Sequence, residues 1–501
     1  MAHSTSTADS LLVRLNSGST SSAELEQATG MSQSWVSAAL RSLITQGRVV
    51  RIGSRRGARY ALRREIPSIG SAWPLYRVGR HGESVELGML YALVADEYYL
   101  EANKAVIDDG FAVAPLSTGI PYLLQDQRPG GFLGRAIPQR FPQLHTPLRV
   151  QDWTDEHYLR YLTTYGSDVV GDLILGRAAL DDYLLQHRQI APHDAGQRDK
   201  YFPELAELSM HGGVPGSSAQ GEHPKFAVTL AEQGEVNHAL VKFSPPVDTK
   251  VGRRWSDLLI AEHLALESLR TVGISSATSR IFQFEDRTYL EVDRFDRVGL
   301  TGRVGVTSLL AIDTGFYGVL DNWIEAARRL HQQRRIDVQT LDEIRLISSF
   351  ADLIANTDKH FGNLAFYDNY DGRFRLTPVY DMLPMLFAPV HDQLVARIYT
   401  PADPTSDTLN VWGRARALAE EYWRTLASEA RISAEFRRIC AACLQTLESL
   451  PRTGAYSPRL AAGSDGMHAR AVQGSLQLQS TGESLPTTGD LPKAQQRSAS
   501  G

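Results

Sequence analysis

At 501 residues, with 43% hydrophobic and 22% charged residues and a net charge of −5, the chain reads as a globular protein, long enough for several cores and too long for one ordinary domain. The first residues lack the basic and apolar segments of a secretory leader, and no apolar run is long enough for a membrane helix, so a cytoplasmic protein without a membrane partner is expected. Cys440 and Cys443 are the only cysteines; a lone Cys-x-x-Cys pair in a helical pattern supplies too few ligands for zinc and predicts half-buried helix positions.

Residues 1–65 carry nine arginines against four acidic residues, a local charge of +5 that leaves −10 for the remainder. Charge segregated in this way points to a separate module with a polyanionic partner. A first helix is expected over residues 8–16. A capping box at Ser21 and Glu24 then opens a second helix that ends at Gly30, and Ser32 starts a third with Val36, Leu40 and Leu43 inward. Two strands follow, residues 48–52 and 59–62, around the tip Gly53-Ser54-Arg55-Arg56-Gly57. Three helices and a basic hairpin resemble a winged helix-turn-helix domain. The resemblance implies duplex DNA as partner, with Gln33, Ser34, Ser37 and Arg41 toward bases and Arg55 and Arg56 toward phosphates. A small protein-interaction domain is the alternative.

Residues 66–73 read as a linker containing Pro67 and Gly70. Between 74 and about 200 the pattern is mixed, with a strand-like piece over residues 92–100 and a glycine cluster at 128–134 that is expected to be a loop. The stretch from His211 to Lys225, rich in glycine and serine, joins a helical piece to a strand over 226–230; loops of this composition can cradle phosphates. A second strand, 236–243, places Lys242 among apolar neighbours, where a lysine is costly unless it meets an anion. Ser256 is expected to cap the next helix, which ends at Gly273 and carries Glu262 as a candidate partner for Lys242. The strand Tyr289-Leu290-Glu291-Val292-Asp293 then leads to Phe295.

The sharpest signal is Asn356-Thr357-Asp358-Lys359-His360-Phe361-Gly362-Asn363, just past a helix over 341–355 and followed by a hairpin that delivers Asp381. An Asp, an Asn five residues on and a second Asp after a short hairpin suit phosphoryl transfer, with Asp358 orienting a hydroxyl and Asn363 and Asp381 offering oxygens to Mg2+. Helices over 415–426 and 434–450 complete the folded part, and the tail from residue 453 has the composition of a disordered segment.

Taken in order, the loop, strand lysine, hinge strand, Asp-x-x-x-x-Asn and hairpin Asp resemble the HipA family of bacterial serine/threonine kinase toxins. A winged helix fused ahead of them resembles its YjjJ branch. The resemblance implies an α+β, two-lobed kinase-like fold behind a small winged helix-turn-helix domain, arranged as 1–65, a linker 66–73, an N-lobe 74–293, a C-lobe 294–452 and a tail 453–501. It implies ATP and Mg2+ as cofactors, Asp358 as the catalytic residue and Asn363 and Asp381 as metal ligands. The nucleotide set it implies is Ser217, Ser218, Gly221, Lys225, Lys242, Asp293, Phe295 and His360, with Ser218 also autophosphorylated. His223 stands where many members have Gln. A protein substrate and an antitoxin are the implied partners. Two other functions remain open: a transcription regulator whose kinase-like part senses a nucleotide or small molecule, and a small-molecule kinase.

Overall fold

A computed structural model describes residues 10–54, 57–187, 189–212 and 221–451. The N-terminal part runs α1 (residues 10–15), β1 (Thr20–Ser21), α2 (Ser22–Thr29), α3 (Gln33–Thr45), β2 (Val49–Ile52) and β3 (Arg59–Leu62). Its sheet has the order β1-β3-β2. The expected caps form. Ser21 Oγ accepts from Glu24 N while Glu24 Oε2 accepts from Ser21 N at 2.7 Å, Gly30 closes α2 at φ 69°, and Ser32 caps α3. Leu11, Leu15, Leu25, Val36, Leu40 and Val49 pack as its core. Gln33, Ser34 and Arg41 are exposed on α3, Ser37 is half-buried, and Arg55 and Arg56 lie outside the described residues.

Residues 66–73, read as a linker, are folded instead. Ile66 is buried and bridges Gly70, Arg63 bridges Leu93, and Arg64 donates to Glu156 and to the Tyr98 hydroxyl. Ile52 and Ala61 share a small core with Leu93 and Tyr99, so burial of apolar surface joins the N-terminal sheet to the next one.

That next sheet consists of β4 (Ala72–Val78), β5 (Ser84–Ala92), β6 (Glu97–Ala102), β7 (Leu116–Thr118) and β8 (Leu173–Leu175), in the antiparallel order β7-β6-β5-β4-β8. Helix α4 (Asp155–Tyr165) covers it and α5 (Arg177–His187) follows. The expected strand over 92–100 is broken at residues 93–96, where Ala95 and Asp96 turn at positive φ. A second sheet holds β9 (His193–Asp194), β10 (Lys225–Glu232), β11 (Glu235–Phe243), β12 (Ser279–Phe284) and β13 (Arg287–Asp293), ordered β12-β13-β11-β10-β9 and backed by α6 (Arg198–Met210). The span 74–293, expected as one lobe, therefore contains two sheets, each with its own core.

Helix α7 (Lys250–Thr271) starts earlier than expected. Thr249 is its cap, and Ser256 lies inside it, its hydroxyl 2.6 Å from that of Thr288 on β13. Beyond β13 come the small pair β14 (Arg297–Val298) and β15 (Gly302–Arg303), then β16 (Val306–Ser308), α8 (Leu309–Phe316), α9 (Trp323–Gln332) and α10 (Val338–Leu353). The hairpin that precedes Asp381 is β17 (Ala365–Asp368) with β18 (Phe374–Leu376), and β16 extends it into a three-stranded sheet. Helices α11 (Leu409–Ser428) and α12 (Ala434–Glu448) bury Trp412, Tyr422, Trp423 and Phe436 against α7 and α10. Cys440 and Cys443 are fully buried thiols in that core. Among the described residues no helix is long and apolar enough to cross a membrane.

Candidate active site

The end of α10 sets the first half of the site. Leu353 O, one of the carbonyls a helix terminus leaves without an intrahelical partner, accepts from Trp423 Nε1 at 3.0 Å and Tyr399 Oη at 2.5 Å, which fixes where the chain exits. Ala355 then turns at φ 60° and Asn356 is buried. Asn356 Oδ1 accepts from Asp358 N at 3.0 Å, and its Nδ2 points to Asp381 O at 3.4 Å, so one amide joins the two aspartates' loops. Asn363 Nδ2 donates to Asp358 O at 2.9 Å, an assignment that leaves Asn363 Oδ1 as its free polar atom. His360 caps the turn Phe361–Asn363, its Nδ1 accepting from Gly362 N at 3.0 Å. Tyr380 Oη donates to Gly362 O at 2.7 Å, a second tie between this loop and the segment carrying Asp381.

The other half comes from the second sheet. Lys225 on β10 and Lys242 on β11 are register partners, two like charges placed opposite each other. Lys242 Nζ meets Glu262 of α7 at 2.7 and 2.8 Å and forms a further ion pair with Asp381. Burial opposes charge on Lys242, but Asp381 and Glu262 outweigh it and raise its pKa above the ordinary lysine value. For Lys225 the balance goes the other way. Burial and Lys242 together bring its pKa down to about 8 despite Asp381 nearby. Burial works against the Asp381 carboxylate too, yet Lys242 and Lys225 hold it down at about 2. Asp381 adopts φ 53°, a left-handed conformation that Asp tolerates better than most residues. Asp358 is exposed at the rim, where loss of surrounding water and the charge of Asp381 raise its pKa, partly offset by His360.

One cleft contains nearly all of the expected set: Gly221, Lys225, Lys242, Asp293, Phe295, His360, Asn363 and Asp381 line it together. Asp358 stands beside it, hydrogen-bonded to Asn363. Ser217 and Ser218 lie outside the described residues. Asp293 is also ion-paired with Arg280 at 3.3 Å, and Phe295 packs against Tyr380 with ring centroids 5.7 Å apart. His223 is not part of the lining. It packs on Trp255 at 4.6 Å, and burial with the two lysines depresses its pKa to about 3. Sequence reasoning missed Asn356 as the tie between the aspartates, although it stands in the same motif, and it missed Asp126. Asp126, from the first sheet's connections, reaches the cleft floor and accepts from Ser308 N at 2.6 Å and Ser308 Oγ at 2.5 Å. No pattern around Asp126 marks it.

Comparison with known proteins identifies the family. Residues 69–184 match the family model for the middle domain of YjjJ-like toxins, and residues 217–450 match that for the HipA-like C-terminal domain. The chain is 35% identical over 429 residues to Toxin YjjJ of Escherichia coli K12, covering 84% of this chain and 93% of that protein. Among solved structures it is similar to a chain of the Shewanella oneidensis MR-1 complex of HipA, HipB and operator DNA, with a TM-score of 0.47, 15% identity, and coverage of 75% of this chain and 95% of that one. It is also similar to the Helicobacter pylori proinflammatory kinase CtkA, with a TM-score of 0.33, 14% identity, and coverage of 46% and 88%. On the sequence matches, the chain belongs to the HipA-like toxin family, in its YjjJ-like branch.

Proposed function

We propose that this protein is an ATP- and magnesium-dependent serine/threonine protein kinase of HipA toxin type, which phosphorylates a protein substrate and its own Ser218, binds duplex DNA through residues 1–65 and is held in check by an antitoxin protein. The observation that carries the kinase reading is Lys242, which contacts both Glu262 and Asp381 in a cleft that Asn363 lines and Asp358 borders. A strand lysine paired with a helix glutamate, next to an ionised aspartate, is the arrangement on which kinases build their phosphate site. The cross-strand pair Lys225 and Lys242 places two ammonium donors side by side in the cleft, which suits the phosphates. The apolar side chains of Leu240, Val292, Phe295 and Val306 line the same cleft and suit the adenine ring.

The donor set fits magnesium. Asn363 has its amide oxygen uncommitted and Asp381 keeps its carboxylate charged, both hard oxygen ligands. Asn363 and Asp381 would hold magnesium, which would supply charge neutralisation for the phosphates. Asp358 orients the attacking hydroxyl and takes up its proton as transfer proceeds, and Asn356 and Asn363 hold the Asp358 backbone through its N–H and its carbonyl. Exposure of Asp358 at the rim suits a substrate as large as a protein segment.

Calorimetric titration with ATP tests this reading. Binding is expected in the wild type, strengthened by magnesium, and lost in Lys242→Met. An ATP titration that shows no binding with or without magnesium would overturn it.

A further inference from the structure

Residues 130–135 belong to the connections of the first sheet, yet they sit against the nucleotide cleft. They form a tight turn, Gly131–Gly134, closed by Gly134 N donating to Gly130 O at 3.1 Å and Arg135 N to Gly131 O at 3.2 Å. Phe132 N donates to Gly221 O at 2.9 Å. A Cβ on Gly131 would lie 2.4 Å from Gly221 O and 2.5 Å from Gly221 N, so only a residue without a side chain permits the two backbones to approach this closely. Gly131 also has φ 58°, which adds a conformational reason for glycine. Beyond the turn, Arg135 pairs with Glu222, and Ala136 Cβ is 3.5 Å from where a Cβ on Gly212 would be. The segment thus bonds to Gly221, and Ala136, the residue after it, approaches Gly212.

Gly221 in turn lies against the end of the Lys225 side chain. A Cβ on Gly221 would be 2.8 Å from Lys225 Nζ, and both residues line the cleft. The chain of contacts therefore runs from Gly131 to Gly221 to the lysine at the phosphate end.

We propose that residues 130–135 are a positioning element of the nucleotide site: they fix the Gly221 peptide and, through it, Lys225, so that the first sheet takes part in holding the phosphates of ATP. This rests on the nucleotide reading above. It gives that sheet a role in the site without any of the residues 130–135 touching the reacting atoms. Any side chain at position 131 must push Gly221 out of place, because the atoms it meets are backbone and cannot rotate away.

The test compares adenosine with ATP in the full-length protein. Adenosine reports the apolar end of the cleft, and the excess affinity of ATP over adenosine reports the phosphate end. Gly131→Ala is expected to reduce ATP affinity by about tenfold or more while changing adenosine affinity less than about twofold. Arg135→Glu, an exposed change that spares the fold, is expected to move ATP affinity in the same direction, and adding Glu222→Arg is expected to restore it. The proposal alone is overturned if the wild type prefers ATP and both Gly131→Ala and Arg135→Glu keep that preference, or if Gly131→Ala weakens both ligands equally while Arg135→Glu changes neither. A wild type that binds neither ligand overturns the nucleotide reading together with the proposal.

Discussion

Lys242 and Lys225 face each other across two strands, and their opposite environments lead to separate expectations. Lys242 is the common cation of two buried or partly buried acids, so Lys242→Met leaves Glu262 and Asp381 without the cation that pairs with both. Breaking a buried ion pair from one side costs about 3–5 kcal/mol, and denaturant unfolding of the variant is expected to show a loss of that size along with the loss of ATP binding. Lys225 has its pKa lowered to about 8, so below that pH it is charged both before and after ATP arrives. Bound phosphates raise its pKa, and above pH 8 binding must therefore take up a proton. ATP affinity is expected to be flat below pH 8 and to fall as pH rises beyond it. Calorimetry in buffers of different ionisation enthalpy reads that uptake directly, and Lys225→Met is expected to abolish it. The sequence motif carried most of these residues, because the chemistry of Asp358, His360 and Asn363 depends on local spacing along the chain. It did not show that Asn356 joins the loops of both aspartates, since that bond spans 25 residues and depends on how the hairpin folds back.

At the scale of elements, the β17–β18 hairpin is held by residues of the first sheet and its connections. Tyr370, in the turn between β17 and β18, donates to Asp172 at 2.5 Å, next to the start of β8, and Tyr122 donates to Asp368 at 3.2 Å. Arg77 on β4 completes the set by pairing with Asp172 at 2.8 Å. Tyr370→Phe removes one donor from a buried carboxylate that keeps its arginine, so a loss of about 1–3 kcal/mol is expected in unfolding measurements, with ATP affinity retained. The caps and the hairpin were legible in the sequence because Ser21, Glu24, Gly30 and Ser32 act through bonds a few residues away. The start of α7 is misplaced by sequence for the same reason in reverse: Ser256 has the chemistry of a cap, but its partner is Thr288, brought near only by the packing of the helix on β13. The glycine cluster at 128–134 reads as a loop because its partner, Gly221, is some ninety residues away in the chain, and nothing local announces it.

For the whole molecule, the N-terminal part is continuous with the rest: Ile52 and Ala61 share a core with Leu93 and Tyr99, and Arg63 and Arg64 bond to the first sheet and the residues leading into it. A composition that looked like a linker hid this, because Ile66 and Trp73 are buried by residues distant in sequence. If residues 1–65 bind duplex DNA, affinity is expected to fall steeply with salt, and Arg55→Ala with Arg56→Ala is expected to shallow the slope by about one unit for each phosphate no longer neutralised, equally on all sequences. Gln33→Ala or Arg41→Ala is expected to blur preference among sequences instead, and binding assays on the full chain at several salt concentrations separate the two outcomes. Because the N-terminal sheet shares its core with the next one, these assays belong on the intact protein. The claim on which the rest depends is phosphoryl transfer, and Asp358 is the residue that tests it while leaving nucleotide binding in place. The most direct measurement is incubation of wild type and Asp358→Asn with γ-labelled ATP, magnesium and a cell lysate, followed by mass spectrometry of the lysate and of the protein itself. The expected result is label on serine or threonine of a protein substrate and on Ser218 with the wild type, reduced about 10²–10⁴-fold in the variant although ATP still binds. Bound ATP with no label transferred to any protein, or equal labelling by the two proteins, would contradict it.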